Sequence, residues 1–391
     1  MKLQSRAEKV LAQKSTGTNS KRPSQFVDGV YPTHIVKADR CYVWDEDGNK
    51  HIDFISGLGT QSLGYNHPKV NEAVLKQLKK GINTSSLPDV IEVECAEMIC
   101  DVFGVDKIRF LKTGNEATAA AICIARSFNQ KPQVISEGYH GHHEMFTSLT
   151  PPSIGIKDAF KIQSEFSISN DTSCYITESL YLDVSDQYKS TLTKKLQACK
   201  DQNVVTILDE VVTGSRVPEL SVNKWWKLDA DIICLGKGIA NGYPLSVVAG
   251  KKEIMDCSEY FVSCTFSGEA ISLAACMATI KEIQSRSLKA LFSQANQFME
   301  DFSKIANPIG TTLEGYGTRA MLNTTHPQTG LLMQECIKKG VMLGKAFFYN
   351  FSHMEENIDQ HVLSVVQDAV DRIQKGKVSL EGKVPQETFK R

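Results

Sequence analysis

A single lysine stands in a setting that a surface lysine does not need. Lys237 lies between Gly236 and Gly238, directly after the apolar run 232–235. Burial disfavours a charged ammonium and lowers its pKa, and a neutral amine can attack a carbonyl carbon to form a Schiff base. The flanking glycines would let a flat molecule approach the backbone closely. Taken alone, the same pattern also fits a surface turn.

A carboxylate ends another apolar run. Residues 204–208 are apolar or β-branched, and Asp209 and Glu210 follow at the tip of this predicted strand. A carboxylate beside a pyridine nitrogen keeps the ring protonated and able to draw electrons. Asp209 is therefore a candidate partner for such a ring, with a helix cap or a structural ion pair as the alternatives.

The motif TGNEA at 113–117 joins a predicted strand to an alanine-rich helix. The backbone N–H groups of Thr113, Gly114 and Asn115 would point at an anion, and the helix dipole favours negative charge there. Phosphate is the natural ligand of such a turn. An ordinary capped helix would show the same residues.

An aromatic side chain and three histidines follow in EGYHGHHEMF, residues 137–146. Tyr139 could stack on an aromatic ring. The spacing of His140, His142 and His143 fits no common zinc pattern, so we expect no metal. The four features together describe a molecule with a phosphate, a basic ring nitrogen and an aldehyde, which predicts pyridoxal 5'-phosphate as the cofactor.

The elements that must position these residues alternate between strand and helix from residue 107 to residue 238. Such alternation favours an α/β fold, with a mostly parallel sheet covered by helices on both faces. Open sheets of this kind bind ligands at the carboxyl ends of their strands, where all four features lie.

Flanking segments show other patterns. Residues 41–57 read as two short strands around an Asp47-Gly48 turn. Amphipathic patterns predict helices at 67–81, 87–104 and 268–284.

A chain of 391 residues is long enough for two domains. We expect residues 51–285 to form a large cofactor-binding domain. Residues 286–391 form a smaller domain in this interpretation, and the N-terminal segment 1–50 joins it.

Composition excludes several classes of protein. The formal net charge of −1 gives no electrostatic reason to bind nucleic acid or an anionic membrane, and no apolar run is long enough to span a bilayer. The N-terminus lacks the apolar core of a signal peptide, and the eleven cysteines contain no CxxC pair. We read the cysteines as free thiols in a reducing compartment, which favours a cytoplasmic location.

These segments resemble one family in order along almost the whole chain. The chain is similar to the fold-type-I, class III pyridoxal phosphate aminotransferases, and within them to the glutamate-1-semialdehyde aminomutase branch. The matching segments are HIDFISGLGTQSLGYNHPKV, RFLKTGNEATAAAICIAR, YHGHHEMF, ILDEVVTGSR, LGKGIANGYPLSVVAGKKEIMD, TFSGEAISLAA and GVMLGKAFFYNFSHMEENID.

The resemblance implies a fold and a set of roles. The fold would have a seven-stranded, mostly parallel central sheet plus a smaller α/β domain. Lys237 matches the Schiff-base lysine and Asp209 the partner of the ring nitrogen; both are catalytic. The family is homodimeric with active sites at the interface. The implied cofactor-binding residues are Thr113, Gly114, Asn115, Tyr139, His140, Glu178, Asp209, Val211, Lys237 and Thr265, of which Thr265 matches a residue that reaches the neighbouring subunit's phosphate.

Departures from the family pattern surround the substrate region. Ser179 follows Glu178 where the family usually has proline, and Leu58 stands where the aminomutase branch often has tryptophan. We therefore favour an ω-transaminase-like enzyme that moves an amino group from an amine or amino acid to a carbonyl acceptor. An intramolecular aminomutase is the alternative, followed by decarboxylation or racemisation and by a protein that only binds a ligand. Arg216 and Arg319 are candidate ligands for a substrate carboxylate, although structural ion pairs would explain both.

Overall fold

The computed structural model describes residues 3–12, 23–149, 159–256, 261–323 and 326–386. The strands are β1 Ile35–Asp39, β2 Tyr42–Asp45, β3 Lys50–Asp53, β4 Lys107–Leu111, β5 Gln133–Glu137, β6 Ile162–Gln163, β7 Thr172–Glu178, β8 Val205–Glu210, β9 Ile232–Leu235, β10 Ser246–Gly250, β11 Leu313–Tyr316, β12 Arg319–Leu322, β13 Val341–Met342 and β14 Ala346–Phe347.

The α-helices follow the same chain order. They are α1 Leu3–Val10, α2 Ser56–Gly59, α3 Pro68–Lys79, α4 Val90–Phe103, α5 Gly114–Asn129, α6 Glu144–Thr147, α7 Asp186–Asp201, α8 Val222–Trp226, α9 Lys252–Met255, α10 Ala270–Gln284, α11 Leu288–Ala306, α12 Pro327–Lys338, α13 Phe351–Glu355 and α14 Asp359–Gln374. Short 3₁₀ helices occur at Pro23–Gln25, Lys237–Ala240 and Asn307–Ile309.

The described residues form two compact units. One unit, the larger, spans residues 68–289, and the other, the smaller, combines residues 1–67 with residues 290–390. Every residue that the sequence analysis assigns to the cofactor lies in the larger unit.

The larger unit is built on a seven-stranded sheet in the order β4-β10-β9-β8-β7-β5-β6. β10 runs antiparallel to both of its neighbours, and the other strands run parallel to one another. The predicted fold class, an α/β fold with a mostly parallel seven-stranded sheet, is confirmed. The carboxyl ends of β5, β7, β8 and β9 consequently meet at one edge of the sheet.

Helix α5 packs directly on this sheet and carries much of its core. Its alanines and isoleucines are buried with apolar residues from β5, β7, β8 and β9. Small side chains allow a helix to approach a sheet closely, so the alanine-rich sequence lets α5 lie close to the strands. The fold thereby positions the TGNEA turn.

The smaller unit contains two sheets, β1-β2-β3-β13 and β11-β12-β14. β2 and β3 pair antiparallel, which confirms the predicted hairpin at Asp47-Gly48. An aromatic cluster forms the centre of this unit. Phe54 stacks on Phe347 at 4.3 Å between ring centroids and on His353 at 4.6 Å.

Local signals in the sequence explain where the long helices begin and end. In α4, Asp89 accepts a hydrogen bond from the Ile91 N–H, and Gly104 ends the helix in a left-handed conformation. α3, α4 and α10 confirm the three predicted helices. Within the described part of the chain, no helix has both the length and the apolar character needed to cross a membrane.

Candidate active site

The site lies where neighbouring parallel strands end. Glu178, the last residue of β7, pairs with Asp209 in β8, and Glu210 pairs with Leu235, the last residue of β9. Lys237 follows two residues after the end of β9. The predicted carboxylate and the predicted lysine therefore stand at the ends of adjacent strands, although 28 positions separate them in the sequence.

Lys237 has an unusual backbone. Its φ angle is +43°, in the left-handed region that a side chain with a β-carbon rarely adopts. Such a conformation costs about 1 to 3 kcal/mol and persists where the surrounding structure imposes it, often at functional sites. The residue is half-buried and begins a 3₁₀ turn whose other residues are buried.

Asp209 is buried, with 7% of its surface exposed, and both of its carboxylate oxygens accept hydrogen bonds. Oδ1 accepts from the Val211 N–H at 3.0 Å. Oδ2 lies 2.8 Å from Nδ1 of His140. The neighbours thus hold the carboxylate in one orientation.

The loop that carries Tyr139 and His140 is fixed at several points. The Tyr139 N–H donates to Oε1 of Glu178 at 2.9 Å, and Oγ1 of Thr118 donates to the His140 carbonyl at 2.7 Å. The Tyr139 residue itself is 44% exposed. The sequence analysis missed Thr118, whose only signal is its position one turn into α5.

Two of the three histidines lie on the surface of the protein. His142 and His143 are exposed, whereas His140 is buried. Among the described residues, no group of His, Cys, Asp and Glu side chains is placed to hold a metal ion. Asn115 fixes the loop instead, because its Oδ1 accepts from the His143 N–H at 2.8 Å.

The start of α5 differs from the expected phosphate turn at one residue. The Thr113 N–H, which the sequence analysis directs at an anion, donates to Oε2 of Glu116 at 2.7 Å. Thr113 and Glu116 form a reciprocal capping box, which uses the amide and the hydroxyl of Thr113. Gly114 and Asn115 are the first two helical residues, so their N–H groups have no acceptor within the helix.

Two glycines enclose Val211. A β-carbon on Gly114 would lie 2.6 Å from Cγ1 of Val211, and one on Gly236 would lie 3.2 Å from it. The valine methyl groups thus fill the space that larger residues at these two positions would occupy. Val211 stands two residues after Asp209, and Gly236 directly precedes Lys237. The contact between them therefore forms an apolar wall at the edge of the sheet where Asp209 and Lys237 lie.

Glu210 points into the protein and stabilises the segment after β8. It is fully buried; Oε1 accepts from Oγ of Ser221 at 3.0 Å and from the Asn223 N–H at 2.8 Å, and Oε2 accepts from the Val222 N–H at 2.9 Å. Burial raises the pKa of the Glu210 carboxyl to about 7, against the lowering effect of these hydrogen bonds. Sequence reasoning assigned no role to this residue.

The remaining candidates belong to other segments of the chain. Thr265 is exposed in the segment that precedes α10, and Arg216 is buried, with 2% of its surface exposed, after β8. Arg319 in β12 and Leu58 in α2 belong to the smaller unit.

The residues at this edge fit pyridoxal phosphate by their chemistry. Gly114 and Asn115 offer N–H groups at the start of a 16-residue helix to a phosphate. Asp209 offers a buried carboxylate to a ring nitrogen, and Lys237 offers an amine to an aldehyde. Val211 leaves no room for a larger side chain at Gly114, where a β-carbon would lie 2.6 Å from Cγ1 of the valine.

Comparison with known proteins gives a consistent result. The family description "Aminotransferase class-III" matches residues 26–174 and 184–351. A glutamate-1-semialdehyde 2,1-aminomutase from Nitrosopumilus maritimus is 32% identical over 343 residues, which cover 80% of this chain and 79% of the relative.

Solved structures share the fold at lower identity. The FumI protein of Sphingopyxis sp. MTA144 superposes with a TM-score of 0.86 at 21% identity and covers 97% of both chains. An omega-transaminase from Sphaerobacter thermophilus gives a TM-score of 0.80 at 18% identity and covers 94% of this chain and 97% of its own.

Proposed function

Because the chain belongs to the class-III aminotransferase family, we propose that the strand-end residues of the larger unit carry out its reaction. The family depends on pyridoxal phosphate, and the chain is an aminotransferase that uses this cofactor. The observation that carries the proposal is the pairing of β7, β8 and β9, which brings the Asp209 carboxylate and the Lys237 turn to one edge.

Lys237 is the proposed catalytic base. Pyridoxal phosphate, when bound, supplies an aldehyde that condenses with amines and a ring that accepts electrons from the substrate carbon. With the cofactor bound, Nζ of Lys237 would hold its aldehyde; once the substrate's amine had displaced the lysine, the free Lys237 amine would take the proton from the substrate's α-carbon. The imposed backbone of Lys237 restricts where its amine can move.

The neighbouring residues bind and orient. Asp209 would accept a hydrogen bond from the protonated ring nitrogen, and its burial would exclude the water that weakens such an interaction. Gly114 and Asn115 donate N–H groups to the phosphate. Val211 would support one face of the ring, and Tyr139 would cover the other.

Replacement of Lys237 tests the proposal directly. We expect Lys237→Ala to lower the rate of amino transfer about 10²- to 10⁴-fold, the usual contribution of a positioned base. Lys252→Ala is the matched control, because Lys252 is an exposed lysine of the same unit. Product formation is measured by mass spectrometry with a panel of amines and 2-oxo acids. Full activity in Lys237→Ala would contradict the assignment.

An intramolecular aminomutase is the second candidate, because the relative from Nitrosopumilus maritimus carries that name. The two reactions differ in their need for a second substrate. Without a carbonyl acceptor, an aminotransferase converts no more amino donor than the amount of cofactor bound to the enzyme. Catalytic isomerisation of an amino-aldehyde with no acceptor present would favour the aminomutase instead.

We also propose that the protein is a homodimer whose interface includes α3, α4 and the segment between them. This surface exposes six large apolar side chains to between 42% and 78%, which is unusual for the surface of a monomer. They are Leu75, Leu78, Ile82, Leu87, Val90 and Val93. Exposed Thr265 is free to serve a neighbouring subunit's phosphate in such a dimer.

Sedimentation measures the proposed assembly. Leu87→Asp places a charge on the most exposed of these apolar residues and is expected to give monomers with reduced activity. Val36→Asp changes an exposed apolar residue of the smaller unit and serves as the control. A wild-type protein that sediments as a monomer at all concentrations would rule out the dimer.

Two further assignments remain predictions of this interpretation. The ten described cysteines are free thiols, seven of them buried, which supports a reducing cytoplasmic location. We assign residues 51–285 to cofactor binding, with residues 1–50 and 286–391 as the smaller domain.

A further inference from the structure

Lys112 connects three segments of the larger unit that are distant in the sequence. It follows Leu111, the last residue of β4, and directly precedes the TGNEA turn. Its Nζ donates to Oε1 of Glu269 at 2.7 Å and to the carbonyl of Pro244 at 3.1 Å. Glu269 directly precedes α10, and Pro244 lies in the loop between the Lys237 turn and β10. Sequence reasoning assigned no role to Lys112.

The ion pair between Lys112 and Glu269 is shielded from water. The two side chains are only 14% and 11% exposed, respectively. Ion pairs on a protein surface contribute little because water and salt screen them, but a pair with so little exposure retains more of its attraction. Removal of either partner would leave the other charge without its counterion in a mostly buried place. The contact therefore fixes the end of the Lys112 side chain.

Glu269 is a rigid anchor for this lysine. It is the N-cap residue of the 15-residue helix α10, and its carboxylate accepts from the Ile271 N–H at 2.9 Å and from the Ser272 N–H at 3.1 Å. The N–H of the next residue, Ala270, donates to the Asn83 carbonyl at 2.9 Å. The hydrogen bonds and the helix dipole both stabilise a carboxylate at this end of a helix. The body of α10 consequently sets the position of Glu269.

The backbone of Lys112 is joined to the TGNEA turn. Its N–H donates to Oε2 of Glu116 at 3.0 Å, and the same oxygen accepts from the Thr113 N–H. Oγ of Ser246, the first residue of β10, donates to the Thr113 carbonyl at 2.7 Å. Lys112 is thus bound to the start of α5 through its backbone, while its side chain reaches the loop that follows the Lys237 turn.

We propose that Lys112 is a positioning residue that holds the TGNEA turn at a fixed distance from the Lys237 turn, with Glu269 as its anchor. The role rests on the proposed function, in which Gly114 and Asn115 bind the cofactor's phosphate and Lys237 its aldehyde. A molecule that engages both turns binds best when their separation already matches it, because no binding energy is lost in moving one turn toward the other. Lys112 acts through the two turns and not by contact with the cofactor.

Two ligands that differ only in the phosphate test this role. Pyridoxal 5'-phosphate can engage both turns, whereas pyridoxal lacks the phosphate and can engage only Lys237. The full-length protein, freed of cofactor by dialysis against an amine, is titrated with each ligand, and the visible absorbance of the Schiff base gives the two Kd values. The ratio of these Kd values measures the contribution of the phosphate to binding, independently of catalysis.

Lys112→Met keeps the length of the side chain and removes its charge. We expect this variant to raise the Kd of pyridoxal 5'-phosphate about 10-fold, the effect of one hydrogen bond to a charged group, and to leave the Kd of pyridoxal within about 2-fold. Lys112→Arg retains a cation and should recover most of the loss. Lys107→Met is the matched control, because Lys107 is an ion-paired lysine at the opposite end of β4.

Glu269→Gln tests the anchor, and it replaces Lys112→Met as the test if that variant does not fold. The amide oxygen of Gln can still accept from the N–H groups of α10, but Gln offers no charge to Lys112. Glu269→Gln should raise the Kd of pyridoxal 5'-phosphate more than that of pyridoxal, and the double variant should lose no more affinity than Lys112→Met alone. Additive losses would show that the two residues act separately and would overturn the proposal.

The outcomes separate this proposal from the proposed function. Equal losses of affinity for both ligands in Lys112→Met, or a lower Tm with an unchanged ratio of Kd values, would reduce Lys112 to a structural residue and overturn the positioning role. If the wild-type protein forms no Schiff base with either ligand, both proposals fail. If it binds the cofactor but transfers no amino group, the proposed function fails, while the ratio of Kd values still decides the role of Lys112.

Discussion

Two histidines, one in each unit, are buried but meet opposite surroundings. His140, in the larger unit, faces two acceptors, the Asp209 carboxylate and the Glu137 carbonyl. His353, in the smaller unit, accepts from the Asn350 N–H at Nδ1 and faces the Asp53 carbonyl at Nε2. One donor and one acceptor suit a neutral imidazole at His353, whereas the ring of His140 lies between two oxygen atoms.

The comparison teaches that two buried histidines can have different hydrogen-bond partners, a carboxylate in one unit and a backbone N–H in the other. Burial lowers the pKa of His353 to about 3, and the bond to the Asp53 carbonyl only partly opposes it. The ring stacks nearly parallel on Phe54, so it behaves as one more member of the aromatic cluster. His353 thus serves packing in the smaller unit, whereas His140 contacts a carboxylate at the strand ends of the larger unit.

The largest predicted effect is the loss of stability at low pH that His353 causes, and it tests whether this histidine is kept neutral. Unfolding lets His353 gain a proton below its ordinary pKa of 6.5, while the folded state resists until about pH 3. The free energy of unfolding should therefore fall as the pH falls through this window, by up to about 5 kcal/mol at about 1.4 kcal/mol per unit.

Denaturant titrations of wild-type protein and His353→Phe across this range measure the effect. The variant is expected to be less stable at neutral pH, since Asn350 N–H and the Asp53 carbonyl lose their partner, but its stability should depend less on pH. The same acid dependence in both proteins would show that His353 is not kept neutral.

Packing in the smaller unit gives the next effect. Phe54 has no exposed surface and contacts Phe347, Phe298 and His353 through its ring. Phe54→Ala should lower the free energy of unfolding by about 3 to 5 kcal/mol through lost contacts and a cavity. Phe128→Ala, at a 42% exposed phenylalanine, should lose about 1 kcal/mol. Similar losses in the two variants would show that the cluster is not tightly packed.

Glu210 should respond to pH with the opposite sign to His353. Its pKa is raised from 4.5 to about 7, so the folded state holds a proton that the unfolded chain releases above pH 4.5. The free energy of unfolding should fall as the pH rises from 4.5 to about 7, by up to about 3 kcal/mol.

The difference between wild type and Glu210→Gln isolates this effect. The amide group of Gln would face the Val222 N–H, so the variant is expected to be less stable overall. Because Gln cannot ionise, its free energy of unfolding should not decline as the pH rises. A decline of equal size in the variant would assign it to other groups.

The smallest effect tests the apolar wall beside Asp209. Gly114→Ala would bring a methyl group to 2.6 Å from Val211 and should destabilise the larger unit by about 1 to 3 kcal/mol. Val211→Ala in the same chain should restore part of this loss, because it removes the methyl groups that collide. Cofactor titration and thermal unfolding of both single variants and the double variant complete the cycle. Additive losses would mean that Gly114 and Val211 do not share this space.

Much of the site could be predicted because its residues belong to short, local sequence patterns. Lys237 and Asp209 each follow an apolar strand, and Thr113 stands three residues before Glu116 at a helix start. The sequence predicts that the Thr113 N–H points at an anion, whereas the structure shows it bonded to the side chain of Glu116 in the capping box. The competition of Glu116 for this N–H is visible in the sequence, but its outcome depends on side-chain geometry.

The sequence by itself determined where strands, helices and turns begin, because propensity, capping and periodicity act over a few residues. Only the tertiary structure decided which distant groups form hydrogen bonds with one another. The His140–Asp209 contact joins residues 69 positions apart, and the His353–Asp53 contact joins residues 300 apart. The surroundings of each histidine come from partners that the chain brings together on folding, so the same residue type contacts a carboxylate in the larger unit and packs on an aromatic ring in the smaller unit.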